Sequence, residues 1–113
     1  MRRESFQKYI CEFIGTFCLV FFAAGAVMLN SLIPEIGVIG SGIISGSIIT
    51  IVIFTFGQIS GAHVNPALSL AAAWLGKLDW RLVPGYVISQ MAGSVAAAFS
   101  LFYLIGDYGS MGA

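Results

Sequence analysis

Few side chains in this sequence are of the types that do covalent or metal chemistry, and they are scattered. The chain has one histidine, His63, and two cysteines, Cys11 and Cys18, which lie far from it. A zinc site or a disulfide framework needs more such residues at closer spacing. Isolated carboxylates do not supply a nucleophile with its base. The sequence therefore predicts neither an enzyme nor a metal site, and it implies no cofactor; the two cysteines are interpreted as packing residues.

A cluster of glycines and polar residues interrupts a long apolar stretch in the middle of the chain. It runs from Gly57 to Pro66 and contains His63 and Asn65. Proline suits the first position of a helix, and the residues after it, up to Leu75, are strong helix formers. Ten helical residues span about 15 Å, which is half of a bilayer core. Either this is a short helix on the membrane surface, or it is a re-entrant half-helix that begins at membrane depth.

The surrounding sequence is that of an integral membrane protein. Apolar residues make up 58% of the chain, charged residues make up 9%, and the mean hydropathy is +0.96. No charged residue occurs in 13–34, 36–76 or 82–106, and each window is long enough to cross a bilayer. The five basic residues form no stripe, which excludes nucleic acid as a partner. We predict an all-α membrane protein with the lipid bilayer as its surroundings.

The windows predict three transmembrane helices at 9–29, 36–57 and 83–105, with a re-entrant loop and half-helix at 58–76. The long middle window must break, because one helix of 41 residues would measure about 61 Å. The positive-inside rule places the basic residues in the cytoplasm together with the N-terminus, and the membrane would be the plasma membrane. The aromatic residues available as interfacial anchors are Trp74, Trp80, Tyr86 and Tyr103.

On this topology both ends of 58–76 lie on the cytoplasmic side, so an excursion into the bilayer enters and leaves by the same face. Unwound backbone survives at membrane depth only when protein buries it or a watery cavity hydrates it. Broken apolar segments of this kind indicate transport sites. The re-entrant interpretation therefore implies a pore or a binding site.

The motif itself resembles the Asn-Pro-Ala loop of the aquaporin, or major intrinsic protein, family in an eight-residue form, Ser60-Gly61-Ala62-His63-Val64-Asn65-Pro66-Ala67. Two further segments match at family-like spacing, Glu12-Phe13-Ile14-Gly15-Thr16 and Gln90-Met91-Ala92-Gly93. The resemblance covers nearly the whole chain but only the first half of the family's six-span, two-loop fold. It implies the first repeat of that fold.

The resemblance also implies roles for individual residues. The central constriction would consist of Asn65, Pro66 and Ala67. The pore-lining loop would consist of Gly61, Ala62, His63 and Val64. Two further residues would brace this loop, Glu12 and Gln90. A helix N-terminus at mid-membrane would repel cations and offer donors to a neutral solute. Carbonyls of the unwound stretch, expected from Gly57 to Val64, would act as acceptors.

Two simpler interpretations stay open. In the first, Asn65 is only the N-cap of a short interfacial helix. In the second, Glu12 lies at the headgroup level and pairs with Lys8, one turn earlier, since a carboxylate inside a span is costly unless it is paired. Small residues at Gly42 and Gly46, and at Gly93 and Ala97, predict close helix contacts.

Ser45 stands 20 residues before Asn65, where the family usually has a bulky aromatic residue in its outer selectivity filter. A serine there resembles the wider filters that pass glycerol, urea or metalloid hydroxides. We expect a passive channel for water or small neutral solutes, and this chain would be its N-terminal repeat. The chain alone is not expected to conduct. The family also implies a homotetramer. The alternative is a truncated, non-conducting membrane protein that at most associates with full-length channels.

Overall fold

The computed structural model describes residues 2–113, which are helical and contain no strand. The helices are α1 (Arg3–Leu32), α2 (Gly37–Ser60), α3 (Pro66–Trp74) and α4 (Val83–Leu104). Short 3-10 turns precede α2 and α4, at Pro34–Ile36 and Trp80–Leu82, and another ends the chain at Gly109–Gly112. Within the described residues α1, α2 and α4 are long and apolar enough to cross a membrane. The fold is that of an all-α membrane protein.

Helix α1 lies between α2 and α4 and packs against both. It approaches α4 closely at Gly93, where an added Cβ would lie 2.5 Å from the carbonyl oxygen of Phe13. Ala97, one turn further along α4, is fully buried. Small side chains at these two positions let the two backbones come together.

The other pair of small residues behaves differently. A Cβ added at Gly42 or Gly46 would meet nothing within 4 Å. Both glycines lie on an open face of α2, whereas Ile48 and Val52 form the buried face toward α1. The predicted close contact at Gly42 and Gly46 is therefore absent from the described chain.

Helix α2 continues further than the glycine-rich sequence suggests. It stays helical past Gly57 to Ser60 and is capped by Gly61. The cap residue has a φ of +89° and donates its N–H to the Gly57 carbonyl at 2.9 Å. Unwinding was expected from Gly57, but the helical hydrogen bond across that glycine is made. The unwound stretch is consequently only five residues long, from Gly61 to Asn65.

Helix α3 is short because both of its ends are fixed locally. Pro66 occupies the first turn. At the other end Gly76 has a φ of +77°, and the N–H groups of Gly76 and Lys77 donate to the carbonyls of Ala73 and Ala72. This is a Schellman motif, which ends a helix at a left-handed glycine. Nine residues give α3 a length of about 13 Å.

Candidate functional site

The centre of the site is the carboxylate of Glu12, which is 0% exposed although it lies in an apolar helix. Its Oε1 accepts hydrogen bonds from the backbone N–H of Val64 at 2.8 Å and from Nε2 of Gln90 at 2.7 Å. Its Oε2 accepts from the hydroxyl of Ser60 at 2.7 Å and from the backbone N–H of His63 at 3.2 Å. A carboxylate has about four acceptor positions, and four donors occupy them. The structure thus places Glu12 inside the molecule, and within residues 2–113 no ion pair joins it to Lys8.

These bonds hold a loop whose backbone is strained. Ala62 and Val64 have φ values of +49° and +47°. The left-handed region costs an L-residue about 1–2 kcal/mol, and a β-branched residue such as valine is rarely found there. The strained conformation turns two consecutive N–H groups, those of His63 and Val64, toward the Glu12 carboxylate. Charge-assisted hydrogen bonds of this type are strong enough to offset the strain.

Gln90 connects the loop to the half-helix. Its amide is 1% exposed, and Nε2 donates both to Glu12 and to the hydroxyl oxygen of Ser69, at 3.0 Å, on α3. Because a carboxylate can only accept, the nitrogen of the amide must face Glu12. One side chain on α4 therefore joins α1 to α3.

Two members of this network were not expected from the sequence. Ser69 is 0% exposed and also contacts Nδ1 of His63, at 3.0 Å. Tyr86, predicted as an interfacial anchor, is instead 1% exposed and donates its hydroxyl to the carbonyl of Ser60 at 2.6 Å. The signal was present in the spacing, since Tyr86, Gln90 and Gly93 recur at helical intervals on the buried face of α4.

Asn65 lies at the exposed N-terminus of α3 and caps it. Its Oδ1 accepts the N–H of Ala67 at 2.8 Å. Since the oxygen is used by the helix, the Nδ2 amide hydrogens are turned away from it. Pro66 and Ala67 are exposed on the same edge of the molecule. Asn65 can therefore cap α3 and still present its amide hydrogens as donors.

The loop presents its backbone and not all of its side chains. Ala62 and Val64 are buried in the core with Ile48 and Val52. Within residues 2–113 no hydrogen bond ends on the carbonyl oxygens from Gly61 to Val64. Any lining by Ala62 and Val64 is consequently by carbonyl groups, which are acceptors.

Ser45 lies on α2, half-buried, well away from the loop. Fifteen residues separate it from Ser60, which corresponds to about 22 Å along the helix. It is therefore near the opposite end of the molecule from the N-terminus of α1. The structure does not bring Ser45 together with Asn65 and Glu12.

Three apolar helices and a half-helix that is capped by Asn65 and tied to a buried carboxylate define an integral membrane protein with a broken helix. A model of the major intrinsic protein family matches residues 1–112, so the chain belongs to that family. Its relatives include Aquaporin NIP1-1 of Arabidopsis thaliana, 43% identical over 88% of this chain and 34% of the relative. Aquaglyceroporin-2 of Trypanosoma brucei brucei is 35% identical over 93% of this chain and 34% of the relative. The chain thus spans about a third of the length of the curated relatives it matches.

Proposed function

We propose that this chain forms half of a passive channel for water and small uncharged solutes, and that it performs no enzymatic reaction. The observation that carries the proposal is the buried Glu12 network, which fixes the N-terminus of α3 with Asn65 exposed. The proposed membrane topology keeps the spans 9–29, 36–57 and 83–105 and the N-terminus in the cytoplasm, at the plasma membrane. A homotetramer is proposed from the family alone.

The depth of Asn65 follows from the length of α3. Lys77 lies three residues after the end of α3 and belongs at the headgroup level. Nine helical residues then lead about 13 Å back into a core that is about 30 Å thick. Asn65 is therefore proposed to lie near the middle of the bilayer.

Each part of the site has a function at that depth. The partial positive charge at the N-terminus of α3 would repel cations. The Nδ2 hydrogens of Asn65 would donate to the oxygen of a passing solute, while the carbonyls from Gly61 to Val64 would accept from its hydroxyl groups. His63 would lie at the cytoplasmic mouth. Solutes would move down their gradients with no covalent step.

Solute choice is assigned to the outer filter. Ser45 is small and polar, so the proposed constriction is wide enough for glycerol-sized solutes. The family relationship to an aquaglyceroporin supports this assignment. Replacing Ser45 by phenylalanine is expected to reduce glycerol flux strongly and to leave water flux in place.

The flux experiment compares two proteins in proteoliposomes under an osmotic gradient. One is the chain of 113 residues, and the other is a chimera in which it replaces the matching third of Aquaporin NIP1-1. We expect the chimera to shrink the vesicles several-fold faster than lipid alone, and the chain alone to match lipid. A single repeat lacks the second loop that would complete the path.

Two variants of the chimera are measured in the same assay, Ser45→Phe and Glu35→Gln. Glu35 lies in the exposed turn before α2, so Glu35→Gln serves as the control and is expected to leave the flux unchanged. A folded chimera without flux would contradict the half-channel proposal and favour a non-conducting membrane protein. Rapid flux through the chain alone would contradict the need for a second repeat.

A further inference from the structure

A polar groove lies between the start of α1 and the turn that precedes α4, and within the described residues it adjoins the Glu12 network only through the contact of Tyr9 with Tyr86. Its volume is about 450 Å³. The residues that line it come from both elements and are Arg2, Ser5, Tyr9, Asp79, Arg81 and Leu82. The channel site uses none of them.

The groove concentrates hydrogen-bond donors. Ser5 and Tyr9 are four residues apart on α1, so they share one side of the helix, and Arg2 lies just before the helix with an extended backbone. Arg81 faces them from the opposite wall. Within residues 2–113 no hydrogen bond uses the hydroxyl of Ser5 or Tyr9, and Arg2 makes no ion pair. Two guanidinium groups and two hydroxyls around one space match the acceptor oxygens of a phosphate.

The floor of the groove is fixed by packing. The ring of Tyr9 lies so close to Gly85 that any Cβ there would overlap it. The same ring makes an edge-to-face contact with Tyr86, with the centroids 6.1 Å apart. Tyr9 is therefore held between α1 and α4, and its hydroxyl has a defined position.

Asp79 is the one acidic side chain of the groove, and its interactions are with the turn that carries it. Its Oδ1 accepts the backbone N–H of Arg81 at 2.9 Å and lies 3.8 Å from Nε of the same residue. The terminal amino groups of the Arg81 guanidinium are not engaged by this contact. Asp79 lowers the positive charge of the groove without occupying it.

Neighbouring aromatic residues give the depth of the groove in the membrane. Trp80 immediately precedes Arg81, and its ring packs edge-to-face on that of Trp74, with the centroids 6.5 Å apart. Both tryptophans are largely exposed. Exposed tryptophans on a membrane protein favour the headgroup region. The groove therefore opens where lipid phosphates are found.

The charge of this end of the molecule is complementary to such a ligand. All five basic residues of the chain lie here, and the exposed acidic residues on the same side are Glu4 and Asp79. The opposite end carries Glu35 and Asp107. We propose that the groove binds the phosphate of an anionic phospholipid from the leaflet on the side of the N-terminus. This inference depends on membrane insertion but not on solute conduction.

The test uses the fluorescence of Trp74 and Trp80, the two tryptophans of the chain, which adjoin the groove. The chain is reconstituted in vesicles of phosphatidylcholine and phosphatidylglycerol, with brominated acyl chains on one lipid at a time. Stronger quenching by brominated phosphatidylglycerol measures its preferential binding. We expect a clear preference in the wild type, reduced about fivefold by each of Arg2→Gln and Arg81→Gln.

Two further variants separate the groove from general charge. Arg3→Gln removes the same charge next to the groove and is expected to keep most of the preference, because Arg3 is not part of the lining. Asp79→Asn retains an N-cap side chain and is expected to increase the preference. Equal losses in Arg3→Gln and Arg2→Gln, with circular dichroism showing both folded, would overturn the proposal. Full displacement of the lipid by millimolar inorganic phosphate would assign the groove to free phosphate and also contradict it.

Discussion

Glu12→Gln is expected to destabilise the folded chain by about 2–3 kcal/mol, with loss of the loop conformation. An amide replaces one acceptor oxygen by a donor NH₂ group, whichever way it is turned. On the Oε1 side it would face the N–H of Val64 and the amide of Gln90; on the Oε2 side it would face the N–H of His63. Each buried donor without an acceptor costs about 1–3 kcal/mol. The strain at Ala62 and Val64 would then no longer be offset.

The measurement is a thermal unfolding curve in detergent, followed with a thiol-reactive dye. Cys11 is buried next to Glu12 and becomes reactive when this part of the fold opens. Glu4→Gln is the matched control, because it also replaces a glutamate by a glutamine, but on the exposed first turn of α1. A midpoint for Glu12→Gln equal to that of Glu4→Gln would show that the carboxylate does not hold the loop. In the chimera the same substitution is expected to remove most of the water flux.

The second large effect is expected from Gly93→Ala. The new Cβ would lie 2.5 Å from the carbonyl oxygen of Phe13 and 3.1 Å from the N of Phe17. Both atoms belong to the backbone, so no side-chain rotation relieves the overlap, and α1 and α4 must move apart. Since Gln90 is one turn away on α4, its bonds to Glu12 and Ser69 would be broken as well. We expect a loss of several kcal/mol, or no folded chain.

Gly42→Ala is the matched control for this substitution. It is also a glycine in a long helix, but an added Cβ has open space around it. Alanine favours helix over glycine, so the folded chain should be unchanged or slightly more stable. Unfolding in detergent compares the two variants directly. A similar loss in both would show that helix–helix contact at Gly93 is not the cause.

Much of the architecture was predictable because it depends on local sequence. The charge-free windows predict the long helices, and Pro66 and Gly76 mark the two ends of α3. The family resemblance added the pairing of Glu12 and Gln90 with the loop. Hydropathy and spacing alone left the position of Glu12 open, since its partners lie 48 to 78 residues further along the chain.

Most of the rest depended on packing between distant residues. Gly57 predicts a helix end, but the helix continues because the carbonyl of Gly57 accepts a helical hydrogen bond from the N–H of Gly61. The resemblance predicts that Ala62 and Val64 line a pore, yet their side chains fill the space beside Ile48 and Val52. Tyrosine is a residue type typical of interfacial anchors, but the ring of Tyr86 packs against Tyr9 of α1 and His63 of the loop. At Ala62, Val64 and Tyr86 a tertiary contact outweighs the local preference, whereas at Gly57 the helical hydrogen bonds of α2 do so.

The half-channel proposal requires that α3 enters the membrane with its N-terminus leading. The most direct measurement is the depth of spin labels at Ala67→Cys and Leu75→Cys, at the two ends of α3, in reconstituted chain with Cys11 and Cys18 replaced by serine. Electron paramagnetic resonance with oxygen and a water-soluble nickel complex gives each depth. We predict that the label at residue 67 lies near the bilayer centre, about 12 Å deeper than the label at residue 75. Equal, shallow depths would mean that α3 lies on the membrane surface, and they would contradict the half-pore.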